Sequence, residues 1–196
     1  PEVPGCDGSS QPFVEVLQQA GRVELPAPRL QLRVRQTIRV GDERGWVQAE
    51  PAHHDGLELN YELDYGCENA IGRQSCHLRI APNTFCEQLA PARTFLLKQE
   101  ADWLRTQGLG SRVTHRDLLV FDANGPIDNP LRFENECVRH KALDVVGDLA
   151  LLGQDVIGRV TAFRSGHRLN AEVVRGLLRQ AAVDPRGPEL HRRKLA

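Results

Sequence analysis

The 196-residue chain carries almost no net charge, because 25 lysines and arginines nearly balance 26 aspartates and glutamates. A surface that binds nucleic acid or anionic membranes needs an excess of basic residues, so the composition favours neither partner. The chain also lacks an apolar run of about 18 residues, the length that a membrane-spanning helix needs, and it lacks a signal-peptide pattern. With 40% hydrophobic residues, it is predicted to be an ordinary soluble globular domain.

Cysteines are few, odd in number and without Cys-x-x-Cys spacing. The five are Cys6, Cys67, Cys76, Cys86 and Cys137. This pattern fits neither a complete disulfide framework nor a zinc ribbon, so we expect reduced and mostly buried thiols in a cytoplasmic protein. The sequence begins with Pro1 rather than methionine, which suggests a fragment or a processed chain.

The hydrophobic pattern divides the chain into three parts. Residues 1–25 form a turn-rich loop followed by an amphipathic helix that ends at Gly21. Pro26 and Pro28 mark a linker, and residues 26–183 form the main domain. Residues 184–196 are polar and predict a flexible tail.

Within the main domain, runs with period two predict strands, and runs with period 3.6 predict helices. The clearest strand is 56–65, where Leu57, Leu59, Tyr61, Leu63 and Tyr65 alternate with polar residues. Further strands are expected near 30–34, 38–40, 46–49, 76–80, 118–121 and 156–163, and helices at 82–89, 98–107, near 135–152 and from 170 onward. This order predicts an α+β two-layer sandwich, with a mostly antiparallel sheet packed against helices.

One predicted helix carries a pattern suited to metal binding. His140, Asp144 and Asp148 follow one another at intervals of four residues and therefore share a helix face. Imidazole nitrogen and carboxylate oxygen suit zinc or a similar divalent metal, and the third acid could orient a neighbouring group. His-x-x-x-Asp also occurs in many helices as a partly solvated pair, so the motif needs supporting residues.

Other histidines differ in what surrounds them. His167 lies in the tight loop Ser165-Gly166-His167, and Asn170 is expected to cap the next helix. Only one predicted strand separates His167 from the helix that carries His140, Asp144 and Asp148. If that strand runs back alongside the helix, it could bring His167 close to Asp148. By contrast, His53 and His54 are expected to face solvent. Thr94 and Phe95 could line the same cleft as His167.

Four ordered segments resemble one known family. They are residues 133–149 (FENECVRHKALDVVGDL), residues 1–13, Ala92-Arg93-Thr94-Phe95, and Ser165-Gly166-His167-Arg168-Leu169-Asn170. Together they resemble the UDP-3-O-acyl-N-acetylglucosamine deacetylases, the zinc amidases of lipid A biosynthesis. They occur in the family's order and span nearly the whole chain.

The resemblance implies roles for the residues of the helix that carries His140 and for the residues around it. His140 and Asp144 would be zinc ligands. His167 would be a positively charged histidine that stabilises the oxyanion and protonates the leaving amine, with Asp148 holding it. Thr94 would help to stabilise the tetrahedral intermediate.

It also implies how the substrate would bind. Lys141 and Arg164 would approach polar groups of the nucleotide sugar, and Tyr65 and Phe95 would pack against it. Leu97, Trp103 and Leu104 would line the acyl-chain passage. The implied fold is that of the family's second domain, which resembles domain 2 of ribosomal protein S5. The resemblance also implies a monomer whose substrate is a UDP-sugar lipid. Through the acyl chain of that substrate, the protein would contact the membrane periphery.

The chain departs from the family pattern at two points. Glu100 stands where many relatives carry aspartate, which is a minor difference. The family's third zinc ligand and general base form a Glu-His pair in a first domain, and no Glu-His dipeptide occurs here. Two alternatives therefore remain: a metal-free scaffold that kept the fold, or a distinct hydrolase that uses His53 or His54 as a ligand.

Overall fold

The computed structural model describes residues 5–25, 27, 29–183 and 189–191. The helices are α1 (Gln11–Gln19), α2 (Pro82–Thr84), which continues as a π-helical turn (Phe85–Leu89), α3 (Lys98–Thr106), α4 (Glu136–Ala150) and α5 (His167–Val183). The strands are β1 (Arg29–Arg33), β2 (Ile38–Asp42), β3 (Gly45–Glu50), β4 (Leu57–Asp64), β5 (Arg73–Ile80), β6 (Phe95–Leu97), β7 (Leu119–Asp122), β8 (Gly125–Pro126), β9 (Asp155–Phe163) and β10 (Glu189–His191).

The main sheet is built around β9. Strand β4 runs parallel to β9 along one side. On the other side, β1 pairs in parallel with the first part of β9 and β3 pairs antiparallel with the rest. The pairs β2–β3, β4–β5 and β1–β10 are also antiparallel, so antiparallel pairing prevails, as predicted.

The second layer consists of α4 and α5, which pack on one face of this sheet. The alternation predicted for β4 is confirmed, since Leu57, Leu59, Tyr61 and Leu63 are buried. They pack in one core with the residues at helical spacing on α4 and α5: Val138, Ala142, Val145, Leu149, Val173 and Leu177. The fold is therefore an α+β sandwich. A smaller sheet of β6, β7 and β8 adjoins it.

Several local expectations are corrected. Helix α5 begins at His167 rather than after Asn170, and Asn170 is 1% exposed within its first turn instead of capping it. Cys6 and Cys67 are exposed, although we expected mostly buried thiols. Helix α1 forms as predicted but buries none of its residues.

Part of the expected tail has regular structure, because β10 pairs with residues 29–31 of β1. Residues 184–188 and 192–196 of that tail lie outside the described residues. Among the helices that the structure describes, none has both the length and the apolar character to cross a bilayer.

Candidate active site

An open cleft of about 1690 Å³ runs along the exposed side of α4. Its walls come from α4, from the loop before α5, from the segment that leads into β6, and from the N-terminal loop. Its lining includes the residues predicted to act in catalysis, metal binding and recognition of the nucleotide sugar: Tyr65, Thr94, Phe95, His140, Lys141, Asp144, Asp148, Arg164 and His167. The fold thus brings together residues that are up to 102 positions apart by number, from Tyr65 to His167.

His140 and Asp144 face each other one turn apart on α4. Nε2 of His140 lies 3.4 Å from Oδ1 of Asp144, and both side chains are largely buried. Two ligands of a tetrahedral zinc ion, each about 2.0–2.2 Å from the metal, lie about 3.4 Å apart. The spacing therefore fits two ligand positions. Within the described part of the chain, no group of three histidine, cysteine or acidic side chains could hold a metal.

The other polar atoms of this pair are already engaged. Nδ1 of His140 lies 3.1 Å from the carbonyl oxygen of Ala92. A carbonyl oxygen can only accept, so Nδ1 carries the proton and Nε2 of the neutral ring keeps its lone pair. Lys141 binds Oδ2 of Asp144 at 2.7 Å, which leaves Oδ1 to face the histidine. This is the arrangement that a metal ligand pair requires.

A buried ion pair fixes the segment that carries Ala92. Glu136, fully buried at the start of α4, accepts hydrogen bonds from Nε and Nη2 of Arg93 at 2.8 and 3.0 Å. It also accepts from the backbone N–H groups of Arg93 and Arg132. Burial alone would raise the pKa of Glu136, but these hydrogen bonds hold the pKa below its usual value. The carboxylate therefore stays charged and holds this segment against α4.

Asp148 and His167 meet at the other end of the cleft. Nδ1 of His167 lies 2.9 Å from Oδ2 of Asp148, as the order of the elements predicts. The same oxygen accepts a hydrogen bond from the side-chain amide of Asn170 at 2.8 Å. His167 is half-exposed and lines the cleft. Asp148 therefore holds the ring at Nδ1 beside the cleft.

The N-terminal loop forms the wall behind Thr94. The backbone N–H of Thr94 donates to the carbonyl of Gly8 at 2.7 Å. A Cβ on Gly8 would lie 2.6 Å from the carbonyl oxygen of Asp117, so only glycine allows this approach. Asp7 forms an ion pair with Arg132 in the same region. The described part of the N-terminal loop, from Gly5 to Ser10, is therefore part of the site.

Aromatic rings line the cleft beside the histidine. Phe95 packs edge-on against Tyr65 and against His140, with ring centroids 6.0 and 6.4 Å apart. The expected acyl passage is corrected in part. Leu104 lines the cleft, but Trp103 is 61% exposed, and Leu96 lines the cleft in place of Leu97.

The other predicted histidines lie elsewhere. Nε2 of His54 is 2.8 Å from Oε2 of Glu58. Because Leu57 and Leu59 on β4 face the helices, Glu58 between them points to the opposite face of the sheet. His53 is exposed. The geometry does not bring His54 to the cleft that His140 lines.

Some residues that shape the site were missed from the sequence. They are Ala92, the Arg93–Glu136 pair, and the buried group of Tyr61, Ser165 and Asn170. An arginine and a glutamate that each lie near a predicted ligand segment are only a weak sign that the two form a buried ion pair. The contact between the backbone carbonyl of Ala92 and His140 cannot be predicted from the pattern of side chains.

Comparison with known proteins assigns the chain to a family. Residues 1–179 match the family model described as UDP-3-O-acyl N-acetylglycosamine deacetylase. The chain belongs to this family. It is 40% identical over 180 residues to the UDP-3-O-acyl-N-acetylglucosamine deacetylase of Thermosynechococcus vestitus, a match that covers 92% of this chain and 61% of that protein.

The enzymes of the same name from Brucella ovis and Brucella canis are each 39% identical over 180 residues, covering 91% of this chain and 62% of theirs. The chain therefore spans about three fifths of the length of the curated relatives that it matches.

Proposed function

We propose that this chain supplies half of the active site of a zinc-dependent deacetylase. The reaction is hydrolysis of the acetamide of UDP-3-O-acyl-N-acetylglucosamine, which releases acetate and a free amine in lipid A biosynthesis. The observation that carries the proposal is the placement of two reactive pairs in one cleft: His140 with Asp144, and Asp148 with His167. Family membership supports this substrate class.

His140 and Asp144 would hold the zinc through Nε2 and Oδ1. The Ala92 carbonyl keeps His140 in the tautomer that offers Nε2, and Lys141 orients Asp144 through its second oxygen. When bound, zinc polarises a carbonyl and lowers the pKa of its water. A catalytic zinc site takes three protein ligands and an open position, so the pair in this chain is incomplete by one ligand.

His167 would act on the reacting amide. In its protonated form, it donates a hydrogen bond to the oxygen that becomes negatively charged during attack. When the C–N bond breaks, the same proton passes from His167 to the leaving nitrogen. Asp148 holds the ring and stabilises its positive charge. Thr94 lines the cleft and would help to stabilise the tetrahedral intermediate.

The cleft offers separate surfaces for the rest of the substrate. Arg164 and Lys141 supply positive charge for polar groups of the nucleotide sugar, and Tyr65 and Phe95 supply an aromatic surface. Leu96 and Leu104 supply an apolar wall for the acyl chain. We propose that the protein acts as a monomer in the cytoplasm, with the acyl chain drawn from the membrane periphery.

The third ligand and the general base would come from the additional length that the relatives possess. This chain contains no Glu-His dipeptide. We therefore expect the 196-residue chain to bind one zinc ion weakly and to show little or no turnover. Turnover close to that of a full-length relative would contradict the proposal that the chain holds half a site.

Metal titration tests the proposal directly. Zinc or cobalt is added to the purified chain, and bound metal is measured by calorimetry or by the cobalt absorption spectrum. We expect His140→Ala to abolish binding and His77→Ala to leave it unchanged, because His77 lies on β5 and contacts Asn60. An absence of metal binding by the native chain would instead favour a metal-free scaffold. Binding that survives His140→Ala would show that the metal is held at another site and would contradict the proposed ligand pair.

A further inference from the structure

A buried chain of hydrogen bonds leads from the sheet core to His167. Tyr61 is fully buried on β4, and its hydroxyl donates to the carbonyl of Ser165 at 2.7 Å. The Ser165 hydroxyl lies 3.0 Å from Oδ1 of Asn170. Nδ2 of Asn170 lies 2.8 Å from Oδ2 of Asp148, the oxygen that His167 contacts. Three residues, Ser165, Asn170 and Asp148, therefore connect Tyr61 to the imidazole.

The chemistry of the partners fixes the direction of these bonds. The phenol proton of Tyr61 is donated to the Ser165 carbonyl. The Ser165 hydroxyl lies 3.2 Å from Oη of Tyr61 and 3.0 Å from Oδ1 of Asn170, and because that amide oxygen can only accept, Ser165 donates its one proton to Asn170. With Oδ1 of Asn170 accepting from Ser165, its NH₂ group faces Asp148. An ionised carboxylate only accepts, so Oδ2 of Asp148 accepts hydrogen bonds from both Nδ2 of Asn170 and Nδ1 of His167.

We propose that Asn170 is a positioning residue that sets which nitrogen of His167 exchanges its proton. By holding Oδ2 of Asp148 in place, Asn170 keeps the proton of the neutral ring on Nδ1. Nε2 is then the nitrogen that gains and loses a proton. The catalytic meaning of this assignment rests on the proposed function, but the tautomer itself does not.

A purely structural role for Asn170 predicts a different result. Asn170 is 1% exposed in the first turn of α5, so its loss lowers stability in either case. Only a positioning role also predicts a change in the protonation pattern of the His167 imidazole, which Asn170 reaches through Oδ2 of Asp148. Ring tautomerism therefore separates the two roles.

Long-range ¹H–¹⁵N NMR of the histidine rings tests the inference in the zinc-free chain without substrate. The signals of His167 are assigned by their loss in His167→Ala. At a pH where the ring is neutral, we expect the ¹⁵N shifts of Nδ1 and Nε2 of His167 to lie far apart in the native chain, with the proton on Nδ1. In Asn170→Ala, the two shifts should move toward each other as the tautomers mix.

The control is Asn60→Ala, which removes an asparagine that contacts Thr161 and His77 instead. It should alter His77 and leave the His167 shifts unchanged. An unaltered His167 pattern in a folded Asn170→Ala variant overturns the inference. If that variant does not fold, Ser165→Ala decides by the same criterion, because it releases the amide of Asn170. Since neither metal nor turnover is measured, failure here is distinct from failure of the proposed function.

Discussion

Glu136 holds a charge in a place that water does not reach. Its carboxylate is fully buried, and the side chain of Arg93 that pairs with it is 5% exposed. A buried ion pair gains little over well-packed apolar residues, but removal of one partner leaves the other charge uncompensated. The pair therefore matters for stability chiefly because both members are present. It also holds Ala92, and through it the ring of His140, against α4.

Glu136→Gln is expected to destabilise the chain by about 3–5 kcal/mol, the range for breaking a buried pair. Glutamine lacks the negative charge that pairs with Arg93, and its NH₂ group would face the N–H donors of Arg93 and Arg132. Urea unfolding followed by circular dichroism measures the effect.

The matched control for that variant is Glu134→Gln, two residues earlier and exposed. It should change the free energy of unfolding by no more than about 0.5 kcal/mol. Equal effects of the two substitutions would show that the burial of Glu136 does not carry its stabilising role.

At the scale of single residues, the sequence predicts contacts that follow from local spacing. His140 and Asp144 are one helical turn apart, so their approach could be read from the sequence. Asn170 contacts Asp148 across 22 positions, and the amide of Arg93 contacts Glu136 across 43. Such contacts depend on tertiary packing, which explains why Asn170 was predicted to be a helix cap.

At the scale of elements, strand β9 joins the two parts of the sheet. Its partner on one side changes from β1 to β3 near Gly158. A Cβ at this position would lie 2.7 Å from Cγ2 of Val34 and 2.9 Å from the carbonyl oxygen of Glu50. Glycine is therefore required by the close approach of the ends of β1 and β3.

Gly158→Ala is expected to destabilise the chain by about 1–3 kcal/mol, the usual cost of overpacking a core. The backbone oxygen of Glu50 cannot move aside without disturbing the β3–β9 ladder. Thermal unfolding at a fixed pH measures the change.

Gly147→Ala on α4 gives the opposite sign. Nothing lies within 4 Å of a Cβ placed there, and alanine favours the interior of a helix, so a gain of about 0.4–1 kcal/mol is expected. If both variants shifted stability in the same direction, the close approach at Gly158 would not be the cause of the loss.

The elements themselves were largely predictable, but their arrangement was not. Alternation in β4 and the 3.6-residue period in α4 are local patterns, and both predictions are confirmed. The central place of β9 depends on pairing with residues 31–33, 46–50 and 57–62. No local pattern encodes those partners. The helix predicted at 82–89 includes a π-helical turn, which periodicity also cannot distinguish.

At the scale of the whole molecule, several carboxylates have pKa values below their usual range. Hydrogen bonds from Arg159 and His54 lower the pKa of Glu58. Burial raises the pKa of Asp7, but hydrogen bonds from Ser9 and Arg132 outweigh it, and Glu136 behaves in the same way through Arg93. The folded chain therefore binds these protons less readily than the unfolded chain does.

This difference sets the direction of pH dependence. A carboxylate whose pKa is lowered on folding stabilises the fold above its unfolded pKa, and that contribution is lost as pH falls through the folded pKa. The unfolded values are the ordinary ones, 3.8 for aspartate and 4.5 for glutamate. We expect the urea midpoint to be insensitive to these groups near pH 6 and to fall steadily from about pH 5 to about pH 3. In Glu136→Gln the fall should be shallower, because the variant lacks one carboxylate that binds its proton less readily in the folded chain than in the unfolded chain. A midpoint that stayed constant or rose over that range would show that these carboxylates do not stabilise the folded state.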